Sequence, residues 1–140
     1  MKIHGTSFSI YTIFFFLFFF VEQRPSTTQI GFTAYTVSSR YYNASERIEF
    51  DGTVTNIGGH FDNTTFTCPV NGLYFFTYTI ESNERATVEL ALDGEHIVGV
   101  YHHDQYSDDD DFSQNSNSAL VTCRAEQEVS SVACHTQKRT

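Results

Sequence analysis

The chain has 140 residues, 8 Lys plus Arg against 17 Asp plus Glu for a formal net charge of −9, two Pro and three Cys. That length fits one domain, and the acidic balance argues against a nucleic acid or an anionic lipid surface as partner. The aromatic residues are unevenly spread: seven of the fourteen Phe lie between Phe8 and Phe20, so the first 21 residues form a separate segment.

Lys2 supplies a short positive start, and Ile10 to Val21 is a 12-residue run broken only by Thr12, the length of a signal-peptide apolar region. Spanning a membrane takes about 20 apolar residues, and Glu22, Gln23 and Arg24 end the run too early. A buried helix is the structural alternative, but six Phe within Phe14 to Phe20 would leave every face of it apolar, with nothing in the chain to cover it. The expectation is a secretory signal peptide over 1–21, a short linker over 22–29, no stable membrane insertion, and an extracellular destination.

Beyond residue 29 the chain reads as strands and turns. Arg47-Ile48-Glu49-Phe50-Asp51 alternates polar and apolar, and Asp51-Gly52 supplies a turn. Leu73 to Ile80 is aromatic and β-branched on both faces, which predicts a central strand covered on both sides. Val88, Leu90 and Leu92 share a face, Asp93-Gly94 follows, and Ile97 to Val100 resumes the apolar pattern, predicting a two-residue hairpin with a type I′ turn. Ala119 to Val121 and Val129 to Val132 are weaker strand candidates, with a hairpin turning near Glu126 between them. Many short strands and no sustained helical period predict an all-β sandwich or jelly roll.

The run Ile57-Gly58-Gly59-His60-Phe61-Asp62, followed by Phe66-Thr67-Cys68-Pro69-Val70-Asn71-Gly72-Leu73-Tyr74-Phe75-Phe76-Thr77-Tyr78, resembles the signature of the globular-head domain of the complement C1q family. Phe32-Thr33-Ala34, Ile48-Glu49-Phe50, Val54-Thr55-Asn56 and Asn117-Ser118-Ala119-Leu120-Val121 extend the resemblance from about Ile30 to Cys134. It implies a two-sheet antiparallel jelly roll of the C1q and tumour-necrosis-factor superfamily. It also implies assembly as a homotrimer or C1q-like hetero-oligomer, and extracellular recognition rather than catalysis.

The chain departs from the family pattern in three places. Phe61 to Phe66 is short, Val129-Ser130-Ser131-Val132 stands where many members carry a Trp, and Thr140 comes before the terminal strand that members place in the interior of one sheet. Residues 30–140 are therefore expected to be a C1q-like domain truncated at its C-terminal end. The function implied is ligand binding on exposed loops, as a lectin-like pattern-recognition factor of innate defence that takes extracellular glycan or protein ligands. The alternative is an organiser or signalling ligand of the cerebellin or adipokine kind that engages a cell-surface receptor.

Asn43-Ala44-Ser45 and Asn63-Thr64-Thr65 are acceptor sequons for N-glycosylation, both in predicted turns, and the modification is open to an exported chain. Three Cys leave one thiol over from any single disulfide. Cys68 reads as a buried free thiol, and a hairpin at Glu126 would set Cys123 opposite residue 130 rather than Cys134, which disfavours their direct pairing and leaves intermolecular pairing open.

Between Tyr101 and Asn115 the chain holds His102-His103-Asp104-Gln105-Tyr106 and then Asp108 to Asp111. Such an acidic run is either a solvated loop or a calcium site, because calcium takes several carboxylate and carbonyl oxygens. The resemblance bears on this, since calcium-binding members carry an Asp-x-Tyr and then a second Asp before a Gln-x-Ser stretch. Asp104 matches the first, and Asp111 stands displaced in the second role. Zinc held by His102 and His103 together is disfavoured, because adjacent residues on a strand point to opposite faces. His60 with Asp62, and Glu95 with His96, are pairs any surface strand can offer, and no nucleophile elbow, His-Glu-x-x-His or phosphate-cradling glycine loop is present.

Overall fold

The computed structural model describes residues 2–3, 5–11, 29–82, 85–102 and 113–134, with Lys2 and residues 5–11 described by their backbone alone. Among the described residues eleven strands follow in chain order: β1 Lys2–Ile3, β2 Gly5–Tyr11, β3 Gly31–Tyr35, β4 Arg40–Tyr41, β5 Gly52–Ile57, β6 Thr65–Thr67, β7 Gly72–Ser82, β8 Ala86–Leu92, β9 Glu95–His102, β10 Ser113–Cys123 and β11 Glu128–Cys134. They form a five-stranded sheet in the order β10-β7-β2-β3-β5, a four-stranded sheet β6-β11-β8-β9, and a two-stranded ribbon β1-β4. Every pairing is antiparallel. The architecture is the two-sheet jelly roll that the strand pattern and the resemblance imply.

The core lies between the sheets and follows from side-chain alternation along each strand. β7 sends Tyr74, Phe76, Tyr78 and Ile80 inward, β3 sends Phe32 and Ala34, β8 sends Val88 and Leu90, and β11 sends Val129 and Ala133. Phe66 sits among rings: its centroid is 5.3 Å from Phe32, 5.7 Å from Tyr74 and 5.9 Å from Phe76. The buried Tyr78 hydroxyl donates to the carbonyls of Val88 at 3.2 Å and Val98 at 3.1 Å, which satisfies a polar tip that burial alone would penalise.

Four sequence expectations take a different or sharper form. The Asp93-Gly94 turn has φ of 49° and 83°, the two left-handed residues of a type I′ hairpin, and a bulge at Ile97 shifts the register so that Ala91 faces His96. The Arg47–Asp51 segment keeps its alternation, with Ile48 and Phe50 buried, but it is not a ladder strand. It runs along β11 through the Ile48 amide to the Ser131 carbonyl and the Ala133 amide to the Glu46 carbonyl, both 2.8 Å. The turn at Glu126 is a crossover between sheets rather than a hairpin, because β10 pairs with β7 while β11 pairs with β6 and β8. Cys123 therefore faces Gly72 and Cys134 faces Thr87. Finally, β7 buries one face fully, while on the other Leu73 is 38% exposed and Phe75, Thr77 and Thr79 are half-buried.

The central position of the larger sheet is filled from the N-terminal segment. Gly5–Tyr11 pairs with β7 through Gly5↔Glu81 to Tyr11↔Phe75, and with β3 through Ser7↔Tyr35 to Tyr11↔Gly31. This interior position is thus occupied by residues whose sequence reads as the start of an export signal.

Candidate recognition surface

The base of the acidic loop is defined by two strand ends. β9 finishes at His102 and β10 begins at Ser113, and the residues between them, including Asp104 and Asp111, lie outside the described residues. His102 is buried, with Nδ1 2.7 Å from Ser113 Oγ and 3.1 Å from Asn115 Nδ2. Its polar edge is thereby engaged by β10, and it serves to close the loop's base. Asn117 Nδ2 donates to the Gly99 carbonyl at 2.6 Å and Gln114 Nε2 donates to Glu81 Oε2 at 3.0 Å, which fixes β10 against both β9 and β7.

Both sequon asparagines belong to tight turns outside the core. Around Asn43, the Glu46 carboxylate accepts from the Asn43 amide at 2.8 Å and from its Nδ2 at 3.0 Å, and these bonds hold the Glu46 carboxyl below its ordinary range. Ser45 completes the turn with φ 67°. Asn63 has φ 78° and its carbonyl accepts from the Phe50 amide at 2.8 Å. Next to it, Asp62 Oδ1 accepts from the amides of Thr64 and Thr65 and from the Thr64 hydroxyl at 2.8–3.0 Å. Partial burial pushes the Asp62 carboxyl up, and these three donors outweigh it, so the net shift is downward. Asp62 is therefore a turn-forming carboxylate, while His60 lies edge-on to Phe66 at 6.5 Å.

The outer face of the five-stranded sheet carries an apolar patch that sequence patterning concealed. Leu120 is 55% exposed and faces Phe75 across the β10–β7 ladder, with Leu73 two pairs further along opposite Thr122. Because both faces of β7 are apolar in sequence, the pattern could not tell a doubly buried strand from one face in the core and one on the surface. The other pair singled out in the sequence, Glu95 with His96, is also rearranged: His96 Nδ1 meets Glu89 Oε2 on the neighbouring strand β8. The hairpin bulge that sets this contact leaves no local sequence signal.

The family described as "C1q domain" matches residues 31–137. Among curated proteins, "Complement C1q tumor necrosis factor-related protein 3" of Homo sapiens is 32% identical over 110 residues, covering 75% of this chain and 43% of the relative. A complement C1q subcomponent of Bos taurus is 34% identical over 67 residues, covering 46% of this chain and 27% of the relative. The chain thus spans less than half the length of these curated relatives. Among solved structures, the "Globular Domain of Zebrafish Complement 1qA protein" superposes with a TM-score of 0.55 at 16% identity over 68% of this chain and 79% of that one, which shows a shared fold.

Proposed function

Since the chain belongs to the C1q-domain family, a non-enzymatic family, we propose that it is a secreted recognition protein that binds extracellular ligands through its exposed loops, as a lectin-like pattern-recognition factor. The observation that carries this reading is the family match across nearly the whole two-sheet domain. Sequons on turns at Asn43 and Asn63 are consistent with export. Among the described residues no helix is long and apolar enough to cross a membrane.

Assembly as a trimer belongs to the same proposal. The Leu73, Phe75 and Leu120 patch offers a contiguous apolar face, and in a cyclic oligomer one such face can serve every subunit. Calcium at Asp104 and Asp111 is part of it too. The carboxylates of this loop are the hard oxygen donors calcium prefers, while His102 Nδ1 is engaged by Ser113 and Asn115.

The test is binding of the purified intact chain to microbial cells and to a glycan array. The expected result is binding that free sugar competes. A second reading, a receptor-directed signalling ligand, is favoured by the 32% identity to the tumor necrosis factor-related relative over 75% of the chain. Saturable binding to one membrane protein, indifferent to sugar, would overturn the first reading in favour of the second.

A further inference from the structure

We propose that Glu89, His96 and Cys134 form a binding site for a borderline-soft divalent cation, of which zinc is the type, on the outer face of the four-stranded sheet. These residues stand on β8, β9 and β11, three adjacent strands in the order β11-β8-β9. Their ligand atoms, a carboxylate oxygen, an imidazole nitrogen and a thiol sulfur, all lie within 4.8 Å of one another. No two of the three are sequence neighbours, so the cluster exists only once the sheet has formed.

The arrangement around Glu89 is built for a side chain turned toward His96. Gly99 stands directly opposite Glu89 in the β8–β9 ladder, and a Cβ at Gly99 would come within 3.1 Å of Glu89 Cγ. Glu89 Oε2 is shielded from solvent, faces His96 Nδ1, and accepts no other hydrogen bond among the described residues. A carboxylate oxygen held out of water with a single nitrogen partner is a costly arrangement unless its charge is met.

The donor set selects the cation. Thiolate and imidazole suit zinc and its neighbours, whereas calcium and magnesium take oxygen. Zinc places sulfur about 2.3 Å and nitrogen or oxygen about 2.0–2.2 Å from the metal, so tetrahedral donors sit roughly 3.3–3.6 Å apart. Reaching that spacing requires the Glu89 and His96 atoms, now in close contact, to part and the remaining separations, all within 4.8 Å, to settle by about 1 Å, and the His96 side chain, 54% exposed, is free to move. The ion inserts between Nδ1 and the carboxylate, with the neutral imidazole carrying its one N–H on Nε2, and the Cys134 thiol releases its proton to solvent as the thiolate–metal bond forms. One carboxylate and one thiolate then neutralise the dication, and water from the His96 side completes the shell.

The experiment uses the full chain, reduced and stripped with a chelator, and titrates cobalt(II) alone as a spectroscopic stand-in, followed by zinc. The expected signature is one equivalent of cobalt with a thiolate-to-cobalt charge-transfer band, displaced by zinc, and zinc protection of Cys134 from alkylation. Cys134→Ser abolishes the band. His96→Ala, a surface change that should leave folding intact, weakens binding by at least about tenfold, which corresponds to about 1.4 kcal/mol. Asp104→Asn with Asp111→Asn leaves the band unchanged. Absence of a charge-transfer band, its survival in Cys134→Ser, or equal loss in the loop double variant overturns the site.

Discussion

Cys68 and Cys123 meet inside the sandwich as neighbouring free thiols. Both are fully buried, and the backbone clasps them together: the Cys68 amide donates to Gln127 and the Cys68 carbonyl accepts from Glu126, both at 2.8 Å, in the turn that follows Cys123. Donation from the Cys68 thiol favours the thiolate form of Cys123 and opposes ionisation of Cys68 itself, which burial pushes up further. Reactivity needs a thiolate that the reagent can reach. Native-state alkylation should therefore modify Cys134 first, and Cys68 and Cys123 only as the domain unfolds. Mass mapping that finds Cys68 labelled as fast as Cys134 under native conditions would count against this packing.

Phe66 is the ring on which both sheets converge. Its strand, β6, has only three residues, so its place in the sheet depends on side-chain packing more than on its short ladder. Phe66→Ala removes a ring that is 1% exposed and should cost about 3–5 kcal/mol, whereas Phe66→Leu, which keeps much of the volume, should cost clearly less. Urea unfolding of both variants measures this. Equal and small losses would mean that the cavity collapses or that the ring is not central.

Asp93 gives the domain an acid-sensitive element. The Glu128 amide at 2.9 Å and the Gln127 side chain at 3.0 Å both donate to its carboxylate, and this holds the carboxyl below its ordinary range, with the Glu128 amide as the larger cause. A lowered folded-state pKa contributes stability that is present above the unfolded value of about 3.9 and lost as pH falls through the folded value. Melting temperature should therefore drop below about pH 4. Asp93→Asn, which retains the turn preference, should flatten part of that slope. A variant whose acid limb parallels the wild type would show that Asp93 does not contribute.

Leu120 tests the apolar outer face. It is exposed on an interior stretch of the β10–β7 ladder, where a charge adds nothing unfavourable to a monomer but must be desolvated in an oligomer. Leu120→Glu should leave the melting temperature of the subunit nearly unchanged and shift sedimentation from an oligomer to a monomer. Retained assembly would place the interface elsewhere.

Much of this fold was readable because its signals are local. Asp93-Gly94 specifies its turn through φ alone, and the alternation of Val88, Leu90 and Leu92 requires no knowledge of the partner strand. The readings that changed depend on pairing between distant residues. Leu73 to Ile80 is apolar on both sides, so nothing within it says which side meets the core. The meeting of Cys68 with Cys123, and of Glu89 with His96 and Cys134, arises from sheet order, to which spacing along the chain is blind. Asn43 and Asn63 were legible as turn residues because turn chemistry and the sequon share small polar side chains.

The N-terminal strand β2 gives the most demanding prediction. Gly5–Tyr11 separates β3 from β7 and satisfies backbone groups on both, yet it lies within the segment that reads as an export signal, so cleavage after residue 21 would remove it. Each buried backbone group left without a partner costs about 1–3 kcal/mol, and two facing strand edges opened in mid-sheet invite pairing with other chains. A form beginning at residue 29 should therefore aggregate or be digested rapidly, with fast hydrogen exchange at Gly31–Tyr35 and Gly72–Ser82. Supplying a peptide with the sequence of residues 5–11, or fusing a family-like terminal strand after Thr140, should restore slow exchange and cooperative unfolding, because the groove between β3 and β7 requires an extended segment whichever end provides it. If the form beginning at residue 29 unfolds cooperatively at the temperature of the intact chain, with β3 and β7 already protected, then β3 and β7 close on each other without β2 and the strand order of this sheet must be redrawn.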